Sequence, residues 1–147
     1  MSVSVPVSAS ASASTAASGP RRRLLVIDDE ALIVQVVSQY LAPGHDVVAA
    51  SDAAQALALL LVDDAPRFDA ILCDLHLPGM TGAELHARIA RERPGLERHF
   101  VFMTGGALNP GSQQFLESCA NRVLDKPFEL SEVARACLDP ERGRSLA

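Results

Sequence analysis

The chain has three cysteines, Cys73, Cys119 and Cys137, and no CxxC or Cys/His pair at metal-ligand spacing. An odd count without that spacing excludes a disulfide framework and a zinc site, and leaves reduced thiols in a cytoplasmic protein as the expectation. Cys73, inside an apolar run, reads as a small buried hydrophobe. No stretch reaches the ~18 apolar residues of a membrane span. Positive charge is also short: Lys and Arg number 13 against 18 Asp and Glu, for a formal charge of -5. Such a balance gives no net attraction to nucleic acid or to an anionic membrane. The one basic run, Arg21-Arg22-Arg23, has no second stripe and no interleaved aromatics. It reads as a solvated lead-in to a strand and not as a nucleic-acid contact. Internal repeats are missing, and so is any charged side chain in the first twenty residues. That Ser/Ala/Val-rich stretch has neither the basic start nor the long apolar core of a signal peptide, so residues 1–20 are expected to be a disordered tail or linker.

What is present suits one folded domain. With 147 residues, 48% of them hydrophobic, the chain can bury a core without covalent staples. The domain is expected over 21–138, with 139–147 as a short C-terminal tail. Four apolar runs stand out: Leu24–Ile27, Ala70–Cys73, Phe100–Met103 and Val123–Leu124. A fifth strand is expected at Asp46–Ala50. Between them lie helical segments, with Ile33, Val36, Val37, Tyr40 and Leu41 at helical spacing in the first, and others at Asp52–Val62, from Thr81 to about Arg93, Ser112–Ser118 and Leu130–Leu138. Asp52 with Gln55, and Thr81 with Glu84, have capping-box spacing. Unpatterned apolar strands alternating with helices require a parallel sheet covered on both faces. The fold class is therefore α/β, a flavodoxin-like (βα)5 doubly wound sheet of strand order 2-1-3-4-5. Ile33, Val36, Val37, Leu57, Leu60, Ile71, Leu72, Leu85, Ile89, Val101 and Val133 are core by pattern.

Each apolar run ends on a residue suited to a phosphoryl group: Asp28-Asp29-Glu30, Asp74, Thr104-Gly105, and Asp125-Lys126-Pro127. Parallel strands put all of them on one rim, where such sheets bind ligands. Asp28, Asp29 and Asp74 gathered there would repel strongly, since two charges ~4 Å apart interact by about 4 kcal/mol at an effective dielectric of ~20. A hard divalent ion that takes oxygen ligands and keeps water answers that repulsion, which points to Mg²⁺. Asp74 stands alone at its strand end, placed to form an acyl phosphate as a nucleophile toward phosphorus. Lys126 offers a fixed cation and the Thr104 hydroxyl a donor, the two things that phosphoryl transfer asks of a protein beside the metal. Pro127 restricts the backbone of Lys126 and so helps to place its amine over the site.

These residues carry a resemblance. Val26-Ile27-Asp28-Asp29-Glu30, Asp74-Leu75-His76-Leu77-Pro78-Gly79-Met80-Thr81-Gly82, Met103-Thr104-Gly105 and Asp125-Lys126-Pro127-Phe128 resemble the receiver domain of two-component response regulators, over about Arg21 to Leu138. By that likeness Asp74 is the phospho-acceptor, Asp29 and Asp74 are direct Mg²⁺ ligands, Asp28 is a ligand through water, and the His76 backbone carbonyl completes the shell. Thr104 and Lys126 match the family's phosphoryl contacts. The resemblance implies a sensor histidine kinase or a histidine phosphotransfer protein as donor, and hydrolysis as the end of the acyl phosphate. A downstream protein or a second copy would receive the signal, without nucleic-acid or membrane contact. The chain would catalyse its own phosphorylation and dephosphorylation without being a conventional enzyme.

One position departs from the family pattern: Val123 stands where an aromatic ring usually couples to the threonine. The expectation is that the signal passes instead through the Gly105–Gly111 loop and the helix after it. Phe102-Met103-Thr104-Gly105-Gly106 looks more like receivers attached to hybrid kinases than like those fused to DNA-binding domains. Other functional classes fit the residues less well. Leu24–Glu30 also resembles the Mg²⁺-holding strand of P-loop hydrolases, but no GxxxxGK[ST] occurs. An aspartyl phosphatase would want an aspartate two places after Asp74, where His76 stands. The remaining alternative is a receiver-like scaffold that binds partners and is never phosphorylated. His45, His86 and His99 lack metal spacing and read as surface or packing residues.

Overall fold

A computed structural model describes residues 21–63, 67–106 and 108–141. The tail expected at 1–20, residues 142–147 of the tail expected at 139–147, and residues 64–66 and 107 lie outside them. Five strands, β1 (Arg22–Ile27), β2 (His45–Ala50), β3 (Ala70–Asp74), β4 (Phe100–Thr104) and β5 (Val123–Asp125), form one sheet of order β2-β1-β3-β4-β5. All four pairings are parallel. Helices α1 (Ala31–Leu41), α2 (Ala53–Leu60), α3 (Gly82–Glu92), α4 (Pro110–Ser118) and α5 (Leu130–Leu138) connect and follow the strands. This is the flavodoxin-like fold that the alternation of elements predicts.

The strands read as unbroken apolar runs because both faces are covered. Leu24 to Ile27 have no exposed surface, nor do Phe100 to Met103. Leu25, Ile27, Ile71, Cys73, Phe100 and Phe102 pack on one face with Ala56 and Leu60 of α2 and Leu85 and Ile89 of α3. Leu24, Val26, Leu72, Val101 and Met103 pack on the other with Val37 and Leu41 of α1 and Val133 and Cys137 of α5. Each such large side chain, fully withdrawn from water, contributes about 1.5–3 kcal/mol before entropy is set against it. Cys73 and Cys137 are buried. Burial pushes the Cys137 thiol up to about 12.

Helix starts follow the sequence closely. The Thr81 hydroxyl accepts from the Glu84 N–H at 3.1 Å while the Glu84 carboxylate accepts from the Thr81 N–H at 2.9 Å. Asp52 accepts from the Gln55 N–H at 2.8 Å, but the Gln55 side chain accepts from Ser51 and not from Asp52. In α1 the pattern misleads. Val36 is 40% exposed, and with Leu32 and Tyr40 it forms an outward stripe at four-residue spacing. The helix is apolar nearly all round, so periodicity alone cannot say which stripe meets the sheet; Val37 and Leu41 do. Ile33 and Leu57 are half-buried. Past α5 the chain stays docked to residue 141: the Arg122 N–H donates to the Pro140 carbonyl at 2.7 Å, and Asn121 bridges Glu141.

Candidate functional site

Register decides which side chains meet. Ile27 of β1 lies opposite Cys73 of β3, so the next residues, Asp28 and Asp74, emerge side by side at the ends of the strands. On the far side of β4, Thr104 pairs with Asp125, and the Lys126 N–H donates to the Thr104 carbonyl at 2.7 Å. The lysine thereby starts from the same rim, followed by a cis peptide bond to Pro127. Its ammonium lies 2.8 Å from Asp28 Oδ2, 3.1 Å from Glu30 Oε1 and 3.2 Å from Asp74 Oδ2. Asp29, Glu30, Asp74, His76, Gly105 and Lys126 line one open cleft.

The carboxylates are held from behind. Asp28 Oδ1 accepts from the Glu30 N–H and Asp74 Oδ1 from the His76 N–H, both at 2.9 Å. Asp28 is fully buried and Asp74 is 5% exposed, whereas Asp29, Glu30 and His76 face water. Burial pushes the Asp28 carboxyl above the ordinary carboxylate value; hydrogen bonds from Lys126 and the Glu30 backbone oppose that shift, and the Asp74 charge reinforces it. Burial would lower Lys126, but its hydrogen bonds to Asp28 and Glu30 and the charges of Asp74 and Asp28 outweigh burial and raise it. Burial is the largest influence on both groups, raising Asp28 and opposing the rise of Lys126, which its carboxylate neighbours nevertheless carry upward.

Two glycines let the backbone close around this cluster. A Cβ on Gly82 would stand 2.8 Å from the Asp74 carbonyl oxygen and 3.0 Å from Leu75 Cα. The Gly82 N–H donates to the Leu75 carbonyl, and the Leu75 N–H to the Met103 carbonyl, each at 3.0 Å. A Cβ on Gly105 would stand 3.1 Å from the Lys126 Cβ. Thr104, 6% exposed, has its hydroxyl buried with no hydrogen-bond partner among the described residues. A buried polar atom left unsatisfied in a native fold needs a reason, and here it is a donor held at the cleft end of β4.

Asp28, Asp74 and Lys126 are thus in direct contact, with Asp29, His76 and Gly105 along the same cleft. The compact carboxylate group is Asp28, Glu30 and Asp74, whose oxygens lie within 4.8 Å of one another. Glu30 is the member to which the sequence assigns no role of its own, naming it only as the end of the acidic run Asp28-Asp29-Glu30. Gly82 was missed as well, one place after a recognised cap. The donor set is all carboxylate oxygen, the chemistry that a small hard divalent ion requires. The other histidines play local roles. His45 faces the Leu41 carbonyl at 2.8 Å and His99 the Asp69 carbonyl at 2.9 Å. His86 packs against the rings of Phe100, Phe102 and Phe115.

A doubly wound sheet with an acidic cleft closed by one lysine is the arrangement that the family comparison has to match. The family model of the response regulator receiver domain matches residues 24–137, and the chain belongs to that family. It is similar to the sensor histidine kinase AruS of Pseudomonas aeruginosa, at 39% identity over 124 residues, which is 82% of this chain and 12% of the kinase. It spans about half or less of the transcriptional regulators that it also matches. Among solved structures it is similar to a CheY-like receiver domain protein from Methanospirillum hungatei, with 28% identity, a TM-score of 0.67, and 79% of this chain and 90% of that one covered. It also shares its fold with the receiver domain of a Pseudomonas aeruginosa sensor histidine kinase, solved with a magnesium ion in its active-site cleft, at 24% identity and a TM-score of 0.65, covering 80% of this chain and 95% of that one. The chain is therefore a receiver domain of two-component signalling. Among the described residues no helix is long and apolar enough to cross a membrane.

Proposed function

We propose that Asp74 accepts a phosphoryl group from a phosphohistidine on a sensor histidine kinase or a phosphotransfer protein. A carboxylate oxygen of Asp74 attacks phosphorus, the phosphorus–nitrogen bond breaks, and the imidazole leaves with the electron pair. Lys126 and the Thr104 hydroxyl donate to the phosphoryl oxygens, where positioning and charge neutralisation account for most of the catalysis. Water later attacks the acyl phosphate, releasing inorganic phosphate and restoring the carboxylate. Asp28, Asp29 and Asp74, with the His76 backbone carbonyl, are the proposed Mg²⁺ site, and Glu30 lies close enough to compete for it. The bound ion would neutralise charge on the transferred group. The magnesium-bearing relative supports this assignment.

The observation that carries the reading is the single ammonium within 3.2 Å of three carboxylates at the carboxyl ends of the strands. Such a pocket is costly for stability and useful for an anionic group arriving with a cation. The outward stripe of Leu32, Val36 and Tyr40 runs along the helix that starts at this rim, and we place the donor protein there. Output goes to a downstream protein or to a second copy of the chain. Incubation with acetyl phosphate and Mg²⁺ followed by intact mass tests the chemistry. The wild-type chain gains one phosphoryl group and Asp74→Asn gains none. A wild-type mass that stays unchanged would leave the scaffold reading in its place.

A further inference from the structure

An ammonium has three N–H donors and no more. In this cleft all three are committed, to Asp28, Glu30 and Asp74. Lys126 can therefore reach a phosphoryl oxygen only by giving one partner up. The Asp28 side chain is 0% exposed and the Asp74 side chain 8%, so stripping the ammonium from either leaves a buried, uncompensated charge. The Glu30 side chain is 62% exposed, and water takes over its hydrogen bonds when it lets go. Pairs of that kind hold weakly.

We propose that Glu30 is a positioning residue for Lys126: it holds the ammonium at the cleft mouth and is the ligand that an incoming phosphoryl group displaces. This rests on the phosphoryl reading of Asp74 and adds an exchange step to it. Glu30 keeps the lysine from collapsing wholly onto Asp28, and its release delivers a donor already aimed at the mouth. The local fold does not depend on it, because Glu30 precedes α1 without capping it through its side chain.

The test uses beryllofluoride as a phosphoryl mimic, titrated into the full chain with Mg²⁺ and followed by fluorine NMR, on wild type, Glu30→Ala and Glu30→Asp. Removing the competing contact tightens beryllofluoride binding about two- to fivefold, the range expected of an exposed ion pair. Glu30→Asp keeps the charge but is shorter by one carbon, about 1.5 Å, and behaves like Glu30→Ala if contact with Lys126 is what matters. Glu30→Asp matching wild type while Glu30→Ala differs would reduce Glu30 to a diffuse charge and overturn the proposal. So would equal affinities in all three chains. Calorimetric titration with Mg²⁺ alone separates a metal-ligand role, since losing a ligand or its direct support costs about tenfold or more, and a drop of that size in Glu30→Ala overturns the proposal. If wild type takes up no beryllofluoride at all, the phosphoryl reading falls and this one with it; uptake by wild type with no change in the variants defeats this one alone.

Discussion

At the rim where the strands begin, each arginine of the run Arg21–Arg23 has partners of its own, whereas at the opposite rim Asp28, Glu30 and Asp74 crowd around Lys126. Arg21 donates to Asp46 Oδ1 at 2.8 Å and to the Ala42 carbonyl at 2.9 Å. Arg22 donates to the Cys137 carbonyl at 2.7 Å, and Arg23 lies 4.5 Å from the centre of the Phe68 ring. Asp69 accepts from the Arg23 N–H and donates its own N–H to the Arg23 carbonyl, both at 2.8 Å. The basic run that the sequence suggests is a solvated lead-in is a set of clamps tying β1 to its neighbours. One end of the sheet spends its charges on holding the fold, while the other keeps them in surplus. The Arg22 and Arg23 Nε atoms are themselves buried without a hydrogen-bond partner among the described residues, so the contrast between the two rims is one of charge balance and not of hydrogen-bond satisfaction.

Substitutions that cross this division break or sharpen it, beginning with the largest effect. Gly82→Val forces a side chain against the Asp74 carbonyl and should destabilise the fold by about 2–3 kcal/mol while abolishing phosphoryl uptake; normal uptake in a folded variant would mean that the α3 start does not position the acceptor. Asp69→Ala at the opposite rim orphans the Arg23 N–H and should cost about 1–3 kcal/mol in chemical denaturation. Its uptake from acetyl phosphate should match wild type, and a slower rate would show that the two rims are coupled.

Asp28→Asn should stabilise the metal-free fold at neutral pH, because burial makes the Asp28 charge costly in the folded chain. The sign follows from Asp28 being raised above 3.8 in the folded chain: the cost of its charge is present above the folded value and disappears as pH falls toward 3.8. The advantage over wild type should therefore shrink in acid, and a gap that widens there would contradict the surplus-charge account. Smallest in stability is Val36→Glu on the outer stripe of α1, expected within about 0.5 kcal/mol of wild type. Its transfer rate from a phosphohistidine donor protein should drop about tenfold with acetyl phosphate labelling unchanged; equal transfer rates would move the docking surface elsewhere.

Much of the fold was legible because strand runs such as Leu24–Ile27 and caps such as Thr81-Glu84 are local signals with a direct physical meaning. Strand order followed from handedness and crossover rules, and it brought Asp28, Asp74 and Lys126 to one rim. What stayed hidden depends on long-range choice. Glu30 meets Lys126 across 96 positions, and an exposed glutamate next to two aspartates carries no mark of that contact. Val36 was misplaced because α1 offers two apolar stripes and only the sheet selects between them. Gly82 looks like a turn residue until the Asp74 carbonyl is seen behind it.

Helix α4 has a consequence of its own. Its Asn109 cap accepts from the Ser112 N–H at 2.7 Å, and its inner contact is the Phe115 ring, edge-on to Phe102 and His86 with centroids 5.2 Å away in both cases. Burial lowers the proton affinity of His86 against the opposing pull of Glu97, so the seam stays greasy and uncharged at neutral pH. Ring edges grip without register, unlike a hydrogen-bonded ladder. Helix α4 is thus seated on ring edges where the strands are locked into a hydrogen-bonded ladder.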